Sequence, residues 1–295
     1  MILKNKNIVI TGSGRGIGKL IALGCAKEGA NIGLTARTVN ELYNVRDKIE
    51  SLNLGVKVSV HKGNITDFDK VKTIFKSFNE DLGPLNGVVA NAGWRDSQPS
   101  LKYDLNTFHK ILDVNIMGVY YTFRASYPHL KLDNKKDKAR FIVTGSAHFF
   151  RAAPLYLPYT IAKYGVVGMI NSLSEEFKKD NITFNMVLPQ RIDTFLTRGE
   201  NAGDENKPPG FLDPSELTDY YIFLLSEMAN KYSLKLFNTF DFETVKKIIK
   251  ESSPDKKKDL KTFLEELEFK NKKLYRNVKN FSLFIEFLLN RNPSL

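Results

Sequence analysis

Apolar residues along this 295-residue chain follow two alternating rhythms. Short continuous runs occur at 7–11 (with Ile8-Val9-Ile10), 31–36, 56–60, 87–90, Phe141-Ile142-Val143 and 182–188. Runs of that length read as strands buried on both faces. Between them stand helical periods. Ile17, Leu20, Ile21 and Gly24 are spaced i, i+3, i+4, i+7, and Gly29 stops that helix. Further helices are predicted over 41–52 and behind Asp67, which caps a stripe of Val71, Ile74, Phe75 and Phe78. A long helix is predicted over 104–127, another to about 179, and an amphipathic one over 214–229, with a seventh strand within 234–240. This β-α alternation predicts an α/β fold: a doubly wound parallel sheet of about seven strands with helices on both faces. Ligands of such sheets bind outside the carboxyl ends of the strands.

Candidate chemistry collects at those ends. The first strand runs into Thr11-Gly12-Ser13-Gly14-Arg15-Gly16-Ile17-Gly18 before a helix begins. Glycines there let the backbone approach a pyrophosphate, and the helix N-terminus attracts its charge. The second strand ends Thr35-Ala36-Arg37-Thr38, without the acid that would bind a ribose 2′-hydroxyl. Arg37, helped by Arg15, can instead pair with a 2′-phosphate through its planar fork. The expected cofactor is therefore NADP(H). Small residues Asn91-Ala92-Gly93 after the fourth strand leave room for it.

Ser146 follows the fifth strand, and Tyr159 and Lys163 stand four apart on the next helix, hence on one face. An ammonium beside a phenol favours the phenolate, which makes Tyr159 a candidate general acid/base near neutral pH. Ser146 would hold a substrate oxygen. A Tyr-x-x-x-Lys spacing alone is also what a half-buried Tyr beside a solvated Lys would give.

Composition narrows the setting. The chain is 42% hydrophobic and 26% charged, as for a soluble enzyme. The single cysteine, Cys25, reads as a small core residue and allows no disulfide within the chain. The N-terminus lacks a signal-peptide core, and no apolar run reaches membrane-span length, so a cytoplasmic protein is expected, with no membrane partner. The formal net charge of +11 is read as a Lys-rich solubilising surface rather than a nucleic-acid footprint. The histidines at 61, 109, 129 and 148 lack zinc-ligand spacing, so no metal is expected.

Taken together and in order, Thr11-Gly12-x-x-x-Gly16-Ile17-Gly18, Asn91-Ala92-Gly93, Asn115, Ser146, Tyr159-x-x-x-Lys163 and Pro189 with Ile192 to Thr194 resemble the short-chain dehydrogenase/reductase family over about residues 5–240. The resemblance implies a Rossmann-type fold and hydride transfer between nicotinamide and a carbonyl or alcohol substrate. It makes Tyr159 the proton donor. Lys163 would lower the Tyr159 pKa and bind the nicotinamide ribose, and Ser146 would bind the substrate oxygen. Asn115 would support a proton path from Lys163 to solvent. Asn64 and Ile65 would lie beside the adenine, Asn91, Ala92 and Gly93 near its ribose, and Pro189, Ile192 and Thr194 around the nicotinamide. The family also implies a homodimer or homotetramer.

Departures from the pattern are Asn64 for a more common Asp, Ala90 for a frequent Asn, Gln190 for the usual Gly, and Thr144-Gly145 before Ser146. None removes a catalytic group. Proximity to the motifs nominates Trp94, His148, Phe149, Tyr156, Gln190 and Phe195 as pocket residues, with a loop over 195–213 as a lid.

The chain divides into a catalytic domain over 1–240 and a helical extension over 241–295, where the resemblance ends. Leu260, Phe263, Leu264, Leu267, Phe281, Leu283, Phe284, Phe287 and Leu288 give the extension apolar faces. It can pack on its own core or close the cleft, reshape an oligomer interface, or present a basic surface through Lys270, Lys272, Lys273, Arg276 and Lys279. A cofactor-binding sensor or scaffold, with the extension as partner module, is the alternative function. The intact Tyr-Lys pair argues against it.

Overall fold

The computed structural model describes residues 1–130, 136–149, 153–203, 206–251, 260–271, 274 and 277–291. Residues 133–135 of the charged loop over 133–138 lie outside these, as do Lys272, Lys273 and Arg276. The chain separates into two compact units, Met1–Phe237 and Asn238–Leu295.

The first unit is built on a seven-stranded sheet of order β3-β2-β1-β4-β5-β6-β7. The strands are β1 (Asn7–Thr11), β2 (Asn31–Ala36), β3 (Val58–Lys62), β4 (Gly87–Ala90), β5 (Ala139–Thr144), β6 (Ile182–Leu188) and β7 (Lys235–Asn238). Strands β1 to β6 pair in parallel, with Val9 opposite both Gly33 and Val88. Every residue of β1, β4, β5 and β6 is buried, so these strands are mainly apolar, with Arg140, Thr183 and Asn185 among their buried polar residues. Strand order reverses between β1 and β4, so their carboxyl ends, Thr11 and Ala90, flank the crevice where such sheets bind ligands.

Helices α1 (Gly16–Lys27), α2 (Val39–Glu50), α3 (Phe68–Leu82), α4 (Leu105–Leu112), α5 (Gly118–Ser126) and α6 (Leu157–Glu176) connect the strands. Asp67 caps α3 through Lys70 N at 3.0 Å. On one face of the sheet Phe75, Phe78, Phe123, Phe141 and Phe184 pack with Val166 and Ile170. Each buried phenyl contributes about 1.5–3 kcal/mol.

Two helices differ from the sequence reading. The helix expected over 104–127 is two, because Asp113–Met117 forms a π-helical turn between α4 and α5. A short helix, α7, spans Phe195–Arg198, and the helix expected over 214–229 is a 3-10 turn (Pro214–Leu217), the short α8 (Thr218–Leu225) and a second 3-10 turn (Glu227–Ala229). Tyr220 to Leu225 are all buried, so α8 has no polar face. It packs against α1 on one side and β5 and β6 on the other. Strand β7 lies within the expected 234–240 and ends where α9 starts at Thr239.

At the amino ends of the strands, Arg140 is 1% exposed. Its Nη2 donates to Asp137 Oδ1 (2.8 Å), Ser226 O (3.0 Å) and Asn230 Oδ1 (2.6 Å). Lys6 pairs with the other oxygen of Asp137.

The second unit contains α9 (Thr239–Glu251), α10 (Leu260–Lys270) and α11 (Ser282–Arg291). Phe242 meets Phe281 and Phe284 edge-on at 5.2 and 4.9 Å, and Phe263, Leu267 and Leu288 are buried.

Candidate active site

The glycine turn is held from both sides. Gly12 and Gly16 take φ of +66° and +55°, a region that favours glycine. A Cβ on Gly12 would lie 2.8 Å from Ala92 Cα, and one on Gly18 would lie 2.3 Å from Gly12 O. Asn91 fastens the turn: its Nδ2 donates to Thr11 O (3.0 Å) and Gly12 O (3.2 Å), while its Oδ1 accepts from Thr144 Oγ1 (3.1 Å). Ser13 is fully buried, and its Oγ accepts from Thr35 N. Helix α1 has no side-chain cap and no acid in its first turn. Its amide hydrogens and dipole are therefore free for a phosphate, and the residues fit a pyrophosphate there.

The arginines differ in their surroundings. Arg15 pairs with Glu41 of α2 at 3.6 Å, and its guanidinium lies 4.0 Å from the centroid of the Phe195 ring. Arg37 is exposed at the end of β2. Phe195, nominated for the substrate pocket, is thus set against the cofactor-side Arg15. Asn64 is exposed and accepts from Thr66 N, while Ile65 packs at the start of α5 against Gly118.

The candidate chemical centre forms where β5 ends and α6 begins. Tyr159 (6% exposed) and Lys163 (5%) lie on the buried face of α6. Lys163 Nζ stands 5.3 Å from the centroid of the Tyr159 ring and donates to Thr144 O at 3.1 Å. Ser146 is 8% exposed, and its Oγ accepts from His148 N at 3.2 Å, which leaves its own proton to donate. Thr144 Oγ1 also bonds the hydroxyl of fully buried Tyr221 at 2.8 Å, and burial pushes that phenol's pKa up. Asn115 sits in the π-helical turn, where its Nδ2 donates to Trp94 O (2.5 Å) and Ile111 O (2.8 Å). Its Oδ1 is buried and has no hydrogen-bond partner among the described residues.

An aromatic wall adjoins this centre. The His148 ring stands edge-on to Tyr156 and to Tyr159, at 5.4 Å from each. Burial pushes the His148 pKa down, and the charges of Arg95 and Lys163 push it further the same way. The Arg95 guanidinium lies 5.0 Å from the centroid of the Tyr156 ring. Leu155 takes φ of +70°, and its carbonyl accepts from Gln98 N (3.0 Å) and Tyr103 Oη (2.8 Å). These bonds clamp the segment after Gly93 to the start of α6. The Trp94 ring lies 4.5 Å from Lys110 Nζ. The Phe149 side chain lies outside the described residues.

Past β6, Pro189 O accepts from Ala147 N, and buried Ile192 bridges Leu212. Thr194 N donates to Thr197 Oγ1, and Asp193 holds Arg198 at 3.0 Å. The loop over 195–213 therefore has a tied stem. Gln190 is half-buried beside it.

The motif reading gave no site role to Glu41, Arg95, Thr144 or Tyr221. Arg95 had a signal in the sequence, two residues beyond Asn91-Ala92-Gly93, and Thr144 was noted only as a departure before Ser146. Glu41 and Tyr221 act through partners on distant elements.

Residues 6–205 match the model of the short chain dehydrogenase family. A glucose 1-dehydrogenase of Gluconobacter oxydans is 32% identical over 189 residues, covering 64% of this chain and 70% of that protein. An uncharacterized oxidoreductase of Staphylococcus aureus is 26% identical, over 78% of this chain and 94% of its own length. Among solved structures, an alcohol dehydrogenase of Thermococcus sibiricus complexed with 5-hydroxy-NADP superposes with a TM-score of 0.71 at 26% identity, covering 79% of this chain and 95% of that one. A carveol dehydrogenase of Mycobacterium avium in complex with NAD shares the fold, with a TM-score of 0.73 at 24% identity over 80% and 96% of the two chains. With the glycine turn, the buried Tyr159-Lys163 pair and these likenesses in hand, the chain belongs to the short-chain dehydrogenase family and is a nicotinamide-dependent oxidoreductase.

Proposed function

We propose that the chain is an NADP(H)-dependent oxidoreductase that interconverts a carbonyl compound and its alcohol. The observation that carries this is the buried pair on α6, with Lys163 Nζ 5.3 Å from the Tyr159 ring centroid and Ser146 at the adjoining strand end. The nicotinamide, when bound, supplies or accepts the hydride.

The protein manages position and protons. In the reducing direction Ser146 Oγ donates a hydrogen bond to the carbonyl oxygen and fixes it beside Tyr159. Tyr159 Oη gives its proton to that oxygen as negative charge develops there. The Lys163 ammonium, anchored on Thr144 O, stabilises the phenolate left behind. Asn115 keeps a buried acceptor next to the Trp94 backbone and supports re-protonation from solvent. Gly12, Gly16 and the α1 N-terminus would hold the pyrophosphate, with Ile192 and Thr194 around the nicotinamide.

Preference for the 2′-phosphorylated cofactor rests on the missing acid after β2 and on Arg37. Arg15 assists once Glu41 yields it. The experiment is NADPH oxidation, followed optically, across ketones, aldehydes, quinones and keto-sugars, with NADH beside it. Tyr159→Phe should lower turnover at least about 100-fold, the low end of general acid catalysis, while cofactor still binds. Wild-type activity in that variant would defeat the assignment of the acid.

A further inference from the structure

Arg95 occupies an unusual position for a cation. It is half-buried, and its Nε donates to Leu196 O at 3.1 Å. Its guanidinium leans on the Tyr156 ring, whose other neighbour is His148. Among the described residues no carboxylate pairs with it. Asp96, the next residue, spends its carboxylate on Ser97 N (2.8 Å) and Gln98 Nε2 (2.6 Å). Asp193 is held by Arg198 and Gly203 N. Among the described residues both Nη groups of Arg95 therefore keep their donors, in the planar fork that binds carboxylates bidentately.

Its backbone is placed by design rather than left loose. Tyr103 Oη bonds both Asp96 O and Leu155 O, and Gln98 N bonds Leu155 O. The strained Leu155 conformation is thus used to hold the Arg95 segment against Tyr156. From Arg95 through Tyr156 and His148 to Tyr159 runs one continuous wall of ring contacts, of 5.0, 5.4 and 5.4 Å. A neutral imidazole within it adds no competing charge, and the buried His148 Nδ1 has no partner among the described residues.

We propose that Arg95 is a specificity-determining residue that binds the carboxylate of the substrate, so that the compound reduced or formed at Tyr159 is an oxo acid or its hydroxy acid. This rests on the oxidoreductase reading above and deepens it. An unpaired, partly desolvated guanidinium attracts an anion more strongly than an exposed one does. Tyr156 keeps the cation in place without neutralising it.

The test uses matched pairs: 2-oxopentanoate, 4-oxopentanoate and 5-oxohexanoate, each beside its methyl ester. Binding to the full chain, with and without NADPH, is read from the fluorescence of its one tryptophan, Trp94, next to Arg95. Turnover is read from NADPH and NADH oxidation. At least one acid should bind tenfold or more tightly than its ester. Arg95→Gln should bring that ratio close to one, and Arg95→Lys should restore part of it. Equal binding of acid and ester in all three pairs, or a ratio that survives Arg95→Gln, overturns the proposal. The two readings fail separately. Turnover of neutral carbonyls with no preference for acids removes the carboxylate site and leaves the oxidoreductase. Acid-selective binding with no turnover of any pair or of the wider carbonyl panel does the reverse.

Discussion

Gly18→Ala sets two effects of similar size against each other. Alanine is favoured over glycine in a helix interior by about 1 kcal/mol, and Gly18 lies in the first turn of α1. The added Cβ, however, would lie 2.3 Å from Gly12 O and 2.6 Å from Asn91 Nδ2. A carbon and an oxygen at van der Waals contact need about 1 Å more than that. The obstacle is backbone, and Gly12 cannot retreat, because its own Cα already faces Ala92 at a distance that excludes a methyl group. Overpacking of this kind costs about 1–3 kcal/mol. Pushing Asn91 off Gly12 O loses a further ~1 kcal/mol. The net is a destabilisation of about 1–3 kcal/mol, or a Tm lower by roughly 2–10 °C for a unit of this size. Displacing the turn from the α1 N-terminus by about 1 Å should also weaken NADPH at least tenfold, since sites of this kind tolerate little misplacement. Thermal unfolding and a fluorescence titration with NADPH measure both. A raised Tm with unchanged NADPH affinity would refute the reasoning, because helix propensity would then have won and the close approach would not exist.

Arg37→Ala should weaken NADPH about tenfold and leave NADH nearly unchanged, whereas Glu41→Gln, by releasing Arg15, should tighten NADPH; titration of both cofactors distinguishes them. Asp137→Ala leaves Lys6 and Arg140 without their shared carboxylate and should cost about 3–5 kcal/mol in urea unfolding. Thr144→Val strands the Tyr221 hydroxyl and Asn91 Oδ1, and should lower stability by about 1–3 kcal/mol, with a larger loss of activity than Tyr221→Phe. His148 has its folded pKa held below the ordinary 6.5. The unfolded chain then binds the proton first as pH falls, so the stability from neutral His148 is complete above about pH 6.5 and is lost towards the lowered pKa. His148→Gln should flatten that acid-side slope, and NMR titration of the imidazole should give a midpoint below 6.5.

The sheet was legible because strands buried on both faces are mostly apolar, even where Arg140 or Asn185 finds buried partners. The glycine turn was legible because its function demands residues without Cβ atoms. Tyr159 and Lys163 could be paired from spacing, since four residues is a helical turn. Helix α8 was misjudged because it is enclosed by α1, β5 and β6, and a fully enclosed helix loses the polar face that periodicity detects. The engagement of Arg15 by Glu41 and Phe195 was invisible for another reason. Its partners come from α2 and from beyond β6, and no local rule joins residues 15, 41 and 195. Arg95 falls between these cases. Its place beside a motif was readable, but its lack of a counter-ion among the described residues is a property of three dimensions.

The five-residue π-helical turn at Asp113–Met117 does more than aim Asn115. An α-helix advances 100° per residue, so one extra residue in a turn rotates everything downstream around the axis. Helix α4 packs on α6, whereas α5 packs on α3. The turn works as a phase shifter that lets one rod of chain serve two walls. Deleting a single residue within it would leave a continuous helix of good propensity. It would also swing the α5 stripe of Val119 and Phe123 about a quarter-turn off the α3 face, so here chain length, and not only residue type, is under constraint.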